Sequence, residues 1–168
     1  MRQADVAILY AYNYWATKRI LAAASKVSND QFVARTAFPR GSLRGTLVHI
    51  MDAEYGWRTL IEESREAEDL AESEFPSLGS LQQRWHEEES RMRAYLANVH
   101  DESLDGILRY TNPAGIRRER VLWHCLFHVV NHGTQHRSEA AAMLTDYGQS
   151  PGDIDFSMFL IEDSQRSS

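Results

Sequence analysis

Apolar residues recur with a helical period over four stretches of this chain. Across residues 4–27, Val6, Leu9, Tyr12 or Asn13, Ala16, Ile20 and Ala23 fall three or four apart, the spacing of one helix face. Ser28-Asn29-Asp30 reads as the stop of this first helix. Residues 31–40 read as a connection ending in Pro39-Arg40-Gly41, after which Ser42 offers an N-cap hydroxyl. The second helix is expected over residues 43–67. Leu47, Ile50, Glu54, Trp57 and Ile61 mark one face, and His49, Ala53, Gly56 and Leu60 the adjoining one. The acidic run 62–74 reads as the end of that helix and a solvated loop, and Pro76 breaks the chain. Ser80-Leu81-Gln82-Gln83 reads as a capping box opening a third helix to about residue 99. Leu81, Trp85, Met92, Tyr95, Leu96 and Val99 form its apolar side, while Glu87, Glu88, Glu89, Arg91 and Arg93 read as exposed charge.

The helical period then fails. Ile107 to Tyr110 is strand-like, residues 111–115 read as a turn, and Ile116 and Arg117 are expected to pair back as a small hairpin. A last long helix is expected over residues 118–146, with Gly148 as its cap and Pro151 beyond it. Residues 153–160 carry Ile154, Phe156, Phe159 and Leu160 and are expected to pack across one end of the domain, and residues 162–168 read as a frayed polar end. The pattern predicts an all-α fold, an antiparallel four-helix bundle with a small hairpin insertion before the last long helix. One domain is expected over residues 1–168.

Composition narrows the function. Hydrophobic residues make up 43% of the 168 and charged residues 25%, which suits an ordinary globular core. A net charge of −6 argues against a general nucleic-acid binder. The chain holds no long apolar run and no signal pattern at its start, so a cytoplasmic protein without a membrane partner is expected. The lone cysteine, Cys125, excludes an internal disulfide and fits a reducing compartment.

Candidate chemistry lies in the last helix. Four of the seven histidines, His124, His128, His132 and His136, stand one turn apart. Each step of four drifts by roughly 40° around the helix. With His124 at zero, the apolar stripe set by Val121, Cys125, Val129, Ala140, Met143 and Tyr147 spans about 60° to 160°. His132 and His136 point into that stripe, His128 sits at its edge, and His124 lies on the flank. Imidazole is a common metal ligand, and two on adjacent turns can share one ion. His49 is a third histidine on a core-facing surface, with Ala53 and Gly56 leaving space beside it. Asp52 and Glu54 are either solvated or acceptors for a ligand imidazole. Asn13 is either a satisfied boundary residue or a polar group facing the metal pocket. His86 and His100 receive no role. Gly133 stands where His-Glu-x-x-His proteases keep their general base, which disfavours peptide hydrolysis.

These residues resemble the DinB and YfiT-like family of metal-dependent enzymes along nearly the whole chain. The resemblance is carried by Tyr12 to Ala16, by Leu47-Val48-His49 with Asp52 to Glu54, and by Tyr110 to Gly115. It is strongest at His128 to Arg137, followed by Gly148, Pro151 and Asp155. It implies a divalent metal, usually zinc or nickel, held by His49, His132 and His136, the residues the wheel also selects. Ser138-Glu139 departs from the Gly-Gln that many members carry after the arginine, and Glu139 falls near the pocket rim. The resemblance further implies a homodimer and an S-transferase type of enzyme. Such an enzyme would move a low-molecular-weight thiol to an electrophile in detoxification or stress. Two alternatives stand beside it: a metal-dependent hydrolase using a metal-bound hydroxide, and a non-catalytic binding protein stabilised by its metal. A closed structural site needs a fourth protein ligand. His128 and Glu139 are the nearest candidates, while Cys125 lies roughly 10 Å along the axis from His132 and reads as packing beneath the site.

Overall fold

Ser42 and Ser77 show how the chain starts its helices. Each side-chain oxygen accepts the backbone N–H three residues on, from Gly45 at 2.9 Å and from Ser80 at 3.4 Å. The structure, a computed structural model, describes residues 1–112 and 114–166. In chain order its helices and strands are α1 (Gln3–Ala24), α2 (Asn29–Val33), α3 (Leu43–Glu63), α4 (Leu78–Ala97), α5 (Asp101–Leu104), β1 (Ile107–Thr111), β2 (Arg117–Val121), α6 (Leu122–Asp146) and α7 (Phe156–Arg166). No described helix is long and apolar enough to cross a membrane.

The four long helices form the expected bundle. α6 packs against both α3 and α1, and α4 closes the ring against the same two. Contacts run in opposite senses along α3 and α6, where Trp57 meets His128 and His49 meets His132 and His136. They rise together along α3 and α4, where Tyr55 meets Arg84 and Arg58 meets Glu88. α3 and α4 are thus parallel neighbours, which is what the long crossover over residues 64–77 permits.

The core has an apolar half at each end and a polar band between them. One half gathers Ile20, Leu47, Met51, Leu81, Trp85 and Met143; the other gathers Val6, Tyr10, Met92, Leu96, Leu126 and Val129. Between them lie Asn13, Thr17, Glu54, Arg58, Glu88 and Arg137, all buried. Burying such groups is costly unless each finds a partner. Arg58 supplies one solution, pairing with Glu88 across to α4 and with Glu62 at 2.8 Å on its own helix. Glu88 is therefore 0% exposed, contrary to its reading as surface charge.

Several boundaries differ from the sequence expectation. α1 ends at Ala24, and Ser28 does not stop it but caps α2, exchanging side-chain and backbone hydrogen bonds with Gln31. α3 ends at Glu63 rather than residue 67 because Ser64 takes a left-handed conformation, φ 54°. Asp52 then pins the departing loop by accepting the Leu70 N–H at 2.8 Å. α4 opens at Leu78, capped by Ser77 rather than Ser80. The last long helix opens at Leu122, not 118. Residues 117–121 instead complete an antiparallel hairpin in register Ile107↔Val121 to Thr111↔Arg117. The turn between its strands falls partly on Pro113, outside the described residues.

The C-terminal segment does not fray at Glu162. α7 continues to Arg166, its start held by Asp155, whose carboxylate accepts from Ser157 Oγ and the Met158 N–H. Glu162 accepts from Trp15 Nε1 at 2.9 Å and from Arg19, fixing α7 onto α1. Residues 167 and 168 lie outside the described residues.

Candidate metal centre

His49 from α3 and His132 and His136 from α6 come together where these two antiparallel helices are packed. One ligand atom from each falls within 4.8 Å of the others. His49 Nε2 and His132 Nε2 face each other at 3.0 Å. The three rings meet edge to face, with centroids 4.5 to 4.7 Å apart in each pair. His136 is buried and the other two are half-buried.

The electrostatics suit a cation. Burial lowers the His49 pKa to about 4, helped by Arg40 and His136. Burial lowers His132 to about 3, helped by repulsion from His136, His49 and His128. Both imidazoles are therefore neutral near pH 7, the state in which imidazole is a metal ligand. His132 Nδ1 is buried with no hydrogen-bond partner. Three converging imidazoles, one of them carrying an unsatisfied buried nitrogen, are a donor set that fits a divalent ion. Among the described residues no fourth His, Cys, Asp or Glu joins the cluster.

Glu139 has a place that the sequence reading did not give it. Its carboxylate Oε2 lies 2.8 Å from His136 Nδ1, three residues earlier on the same helix. A carboxylate there accepts the ring N–H, fixes the tautomer and leaves the other nitrogen free for a ligand role. Glu139→Ala is expected to weaken zinc binding about 10- to 100-fold, the usual cost of losing such a support. Glu139→Gln, which keeps an acceptor, should lie closer to wild type. Competition with a chromogenic zinc chelator measures both.

The other candidates fall away from the cluster. His124 is exposed, as its flank position predicts, and meets the Trp123 ring edge to face. His128 is exposed, its ring 5.8 Å from His132. Cys125 is buried, its pKa raised by burial, and serves as packing. Asp52 holds the loop at Leu70 and Glu54 bonds to Asn13; neither acts on an imidazole.

Asn13 does not reach the histidines either. Its Nδ2 donates to Glu54 Oε1 at 2.7 Å, and its Oδ1 accepts from Arg137 Nη1. One amide thus separates a buried carboxyl from a buried guanidinium. Gly133 makes this possible, since a Cβ there would lie 2.6 Å from Arg137 Nη1 and 2.9 Å from Asn13 Oδ1. The glycine that removes a protease-like general base is also the one that admits the Asn13 bridge.

Glu54 is left partly unsatisfied. Its Oε2 is buried without a completed hydrogen bond, and so is Trp85 Nε1, whose N–H lies close enough to draw the carboxyl pKa down. Burial outweighs Asn13, Arg137 and Trp85 and raises the Glu54 pKa from 4.5 to about 7. A carboxyl raised on folding contributes stability that is full below the unfolded pKa and is lost as pH rises through the folded one. Between pH 5 and 8 wild type should therefore lose about 3 kcal/mol relative to Glu54→Gln, from ~1.4 kcal/mol per pKa unit. Urea unfolding of both proteins at several pH values checks this.

Comparison with known proteins places these observations in a family context. The model of the DinB family matches residues 1–166. Protein DinB of Bacillus subtilis (strain 168) is 27% identical over 161 residues, covering 90% of this chain and 91% of that protein.

Proposed function

The chain belongs to the DinB family, and from that membership and the three-histidine cluster we propose that it is a divalent-metal-dependent enzyme of the thiol S-transferase type. The observation that carries the metal half of this reading is the convergence of His49, His132 and His136, with His49 and His132 held neutral by burial. On this reading those three residues hold the ion, which is zinc or nickel. Three protein ligands leave coordination positions open, the pattern of catalytic sites rather than closed structural ones. A bound 2+ ion would favour ionisation of a thiol brought to it.

The remaining residues support that chemistry from the protein side. Glu139 accepts the His136 Nδ1–H and holds that ring in place. Asn13, Arg137 and Gly133 fix the middle of α6 against α1, directly behind His132 and His136. In the transfer, a sulfur–carbon bond forms as the bond from that carbon to its leaving group breaks. The leaving group departs with the electron pair and the thiol proton goes to solvent. The partners on this reading are a small-molecule thiol, an electrophile and a second copy of the chain.

The test is a panel of cellular thiols against an aryl halide and an epoxide, with zinc- and nickel-loaded protein. Metal-dependent conjugation that disappears in His132→Ala supports the reading. Turnover of an ester without any thiol would assign the site to hydrolysis instead. Metal binding with neither activity across the panel would point to a metal-stabilised binding protein.

A further inference from the structure

Beside the histidine cluster lies a cleft of about 450 Å³ lined by Trp57, Tyr110, Arg120, His124, Cys125 and His128. Its walls come from α3, the hairpin and α6. Trp57 is eight residues beyond His49 on α3, about 12 Å along the axis. The Trp57 ring stands edge to face against Tyr110, 5.8 Å away, and against His128, 5.5 Å away. His128 in turn is the ring next to His132 on α6. The cleft therefore opens one ring away from the proposed metal ligands.

The shape of this wall favours a flat molecule. The rings brace one another, so an aromatic guest needs little rearrangement to find an aromatic edge or face. Buried Cys125 closes the floor.

The hairpin adds a charge. The register pairs Leu108↔Arg120 and Tyr110↔Arg118, so these four side chains share one face. Leu108, Tyr110 and Arg118 are half-buried, which marks this as the face turned toward the helices. On the opposite face Arg109 is paired with Glu119 at 2.8 Å. Among the described residues Arg120 forms no ion pair; its Nη1 donates only to the Glu119 carbonyl. Across the Trp57–Tyr110 pair a smaller cleft, about 250 Å³, carries Asp52, Glu66 and Asp69. An anion is repelled from that side and drawn to Arg120, whose guanidinium suits carboxylates and phosphates.

We propose that this cleft is the substrate subsite, taking a flat aromatic group between Trp57, Tyr110 and His128, with a negative charge on that group bound by Arg120. The role of the bound molecule rests on the metal-enzyme reading above; the binding itself does not. The substrate class it selects is an aryl electrophile bearing an acidic group.

Calorimetric titration with 2-naphthoate and its neutral counterpart 2-naphthamide tests the proposal on zinc-loaded protein. The anion should bind about tenfold more tightly than the amide, the gain of one charge-assisted contact. Trp57→Ala should weaken both probes about tenfold or more through lost ring contact. Arg120→Gln, an exposed strand position where folding is not at stake, should erase the preference for the anion. Equal affinity for the two probes in wild type, or an unchanged preference in Arg120→Gln, overturns the proposal. His132→Ala separates it from the metal reading. Naphthoate binding retained there supports Arg120 as the anion site. Naphthoate binding lost there, with naphthamide binding kept, means that the carboxylate sat at the metal, and the Arg120 assignment falls while the metal reading stands.

Discussion

Zinc added to metal-free protein is expected to raise the thermal midpoint by roughly 5–10 °C, and His132→Ala should abolish that rise. An ion that binds only the folded state at a hundred times its dissociation constant adds about 2.7 kcal/mol. In a chain of this size each kcal/mol moves the midpoint by about 2–4 °C. His132 is the informative position because its ring meets both partners, 4.7 Å from His49 and 4.5 Å from His136, and its Nε2 faces His49 Nε2 at 3.0 Å. In the metal-free protein its removal gives up the 3.0 Å contact to His49 Nε2 but also removes a buried Nδ1 that has no partner. His124→Ala should keep the full response, because His124 is exposed and contacts Trp123 instead. A His124→Ala variant as unresponsive as His132→Ala would mean that the wrong rungs of the ladder were chosen. Differential scanning calorimetry with and without zinc provides the readout.

The second large effect lies in the polar band. Glu88→Ala should destabilise the protein by about 3–5 kcal/mol, because removing one member of a buried ion pair strands the other. Arg58 is 1% exposed and cannot turn to solvent, although Glu62 and Glu63 remain beside it and place the loss toward the lower end. Replacing both partners, as Arg58→Leu with Glu88→Met, should recover most of the loss, since apolar substitutes of similar volume need no partner. Urea unfolding measures all three proteins. A Glu88→Ala loss below 1 kcal/mol would show that Glu62 and Glu63 alone satisfy the guanidinium.

That band marks the limit of what the pattern of apolar positions revealed. The bundle was legible because its helices repeat apolar residues with a 3.6 period, and the ladder because histidines four apart share a face. His49 became legible only through its companions on α6, since a single histidine on a core stripe carries no specific signal. Glu88 was read as exposed because a charge beside Glu87 and Glu89 looks like a solvated face. Its partner Arg58 is thirty residues away, on another helix. Asn13 and Glu54 were correctly placed on apolar stripes, yet their link to each other spans forty-one residues and needed the fold to appear. Glu139 was left without a role for the opposite reason. Its partner is only three residues off, but whether it turns to His136 or to water depends on rotamers that spacing does not set.

The hairpin shows a different failure. The hairpin itself was expected, but its return strand was read only as far as Arg117, because Arg118-Glu119-Arg120 has no apolar alternation. That stretch becomes a strand by pairing with Ile107–Thr111, and the helix begins only where the ladder ends at Val121. Likewise Ser77 and Ser80 stand three apart, and each is a plausible cap. The structure uses the first, with the second donating its backbone N–H to it.

Metal stoichiometry bears most directly on the central claim. Elemental analysis would be made on untagged protein after zinc addition and gel filtration, alongside His49→Ala. The account predicts about one divalent ion per chain in wild type and essentially none in the variant, because a three-histidine site that loses α3's only ligand retains two. Wild type without bound metal after exposure to both zinc and nickel, or a His49→Ala variant that keeps a full equivalent, would contradict it.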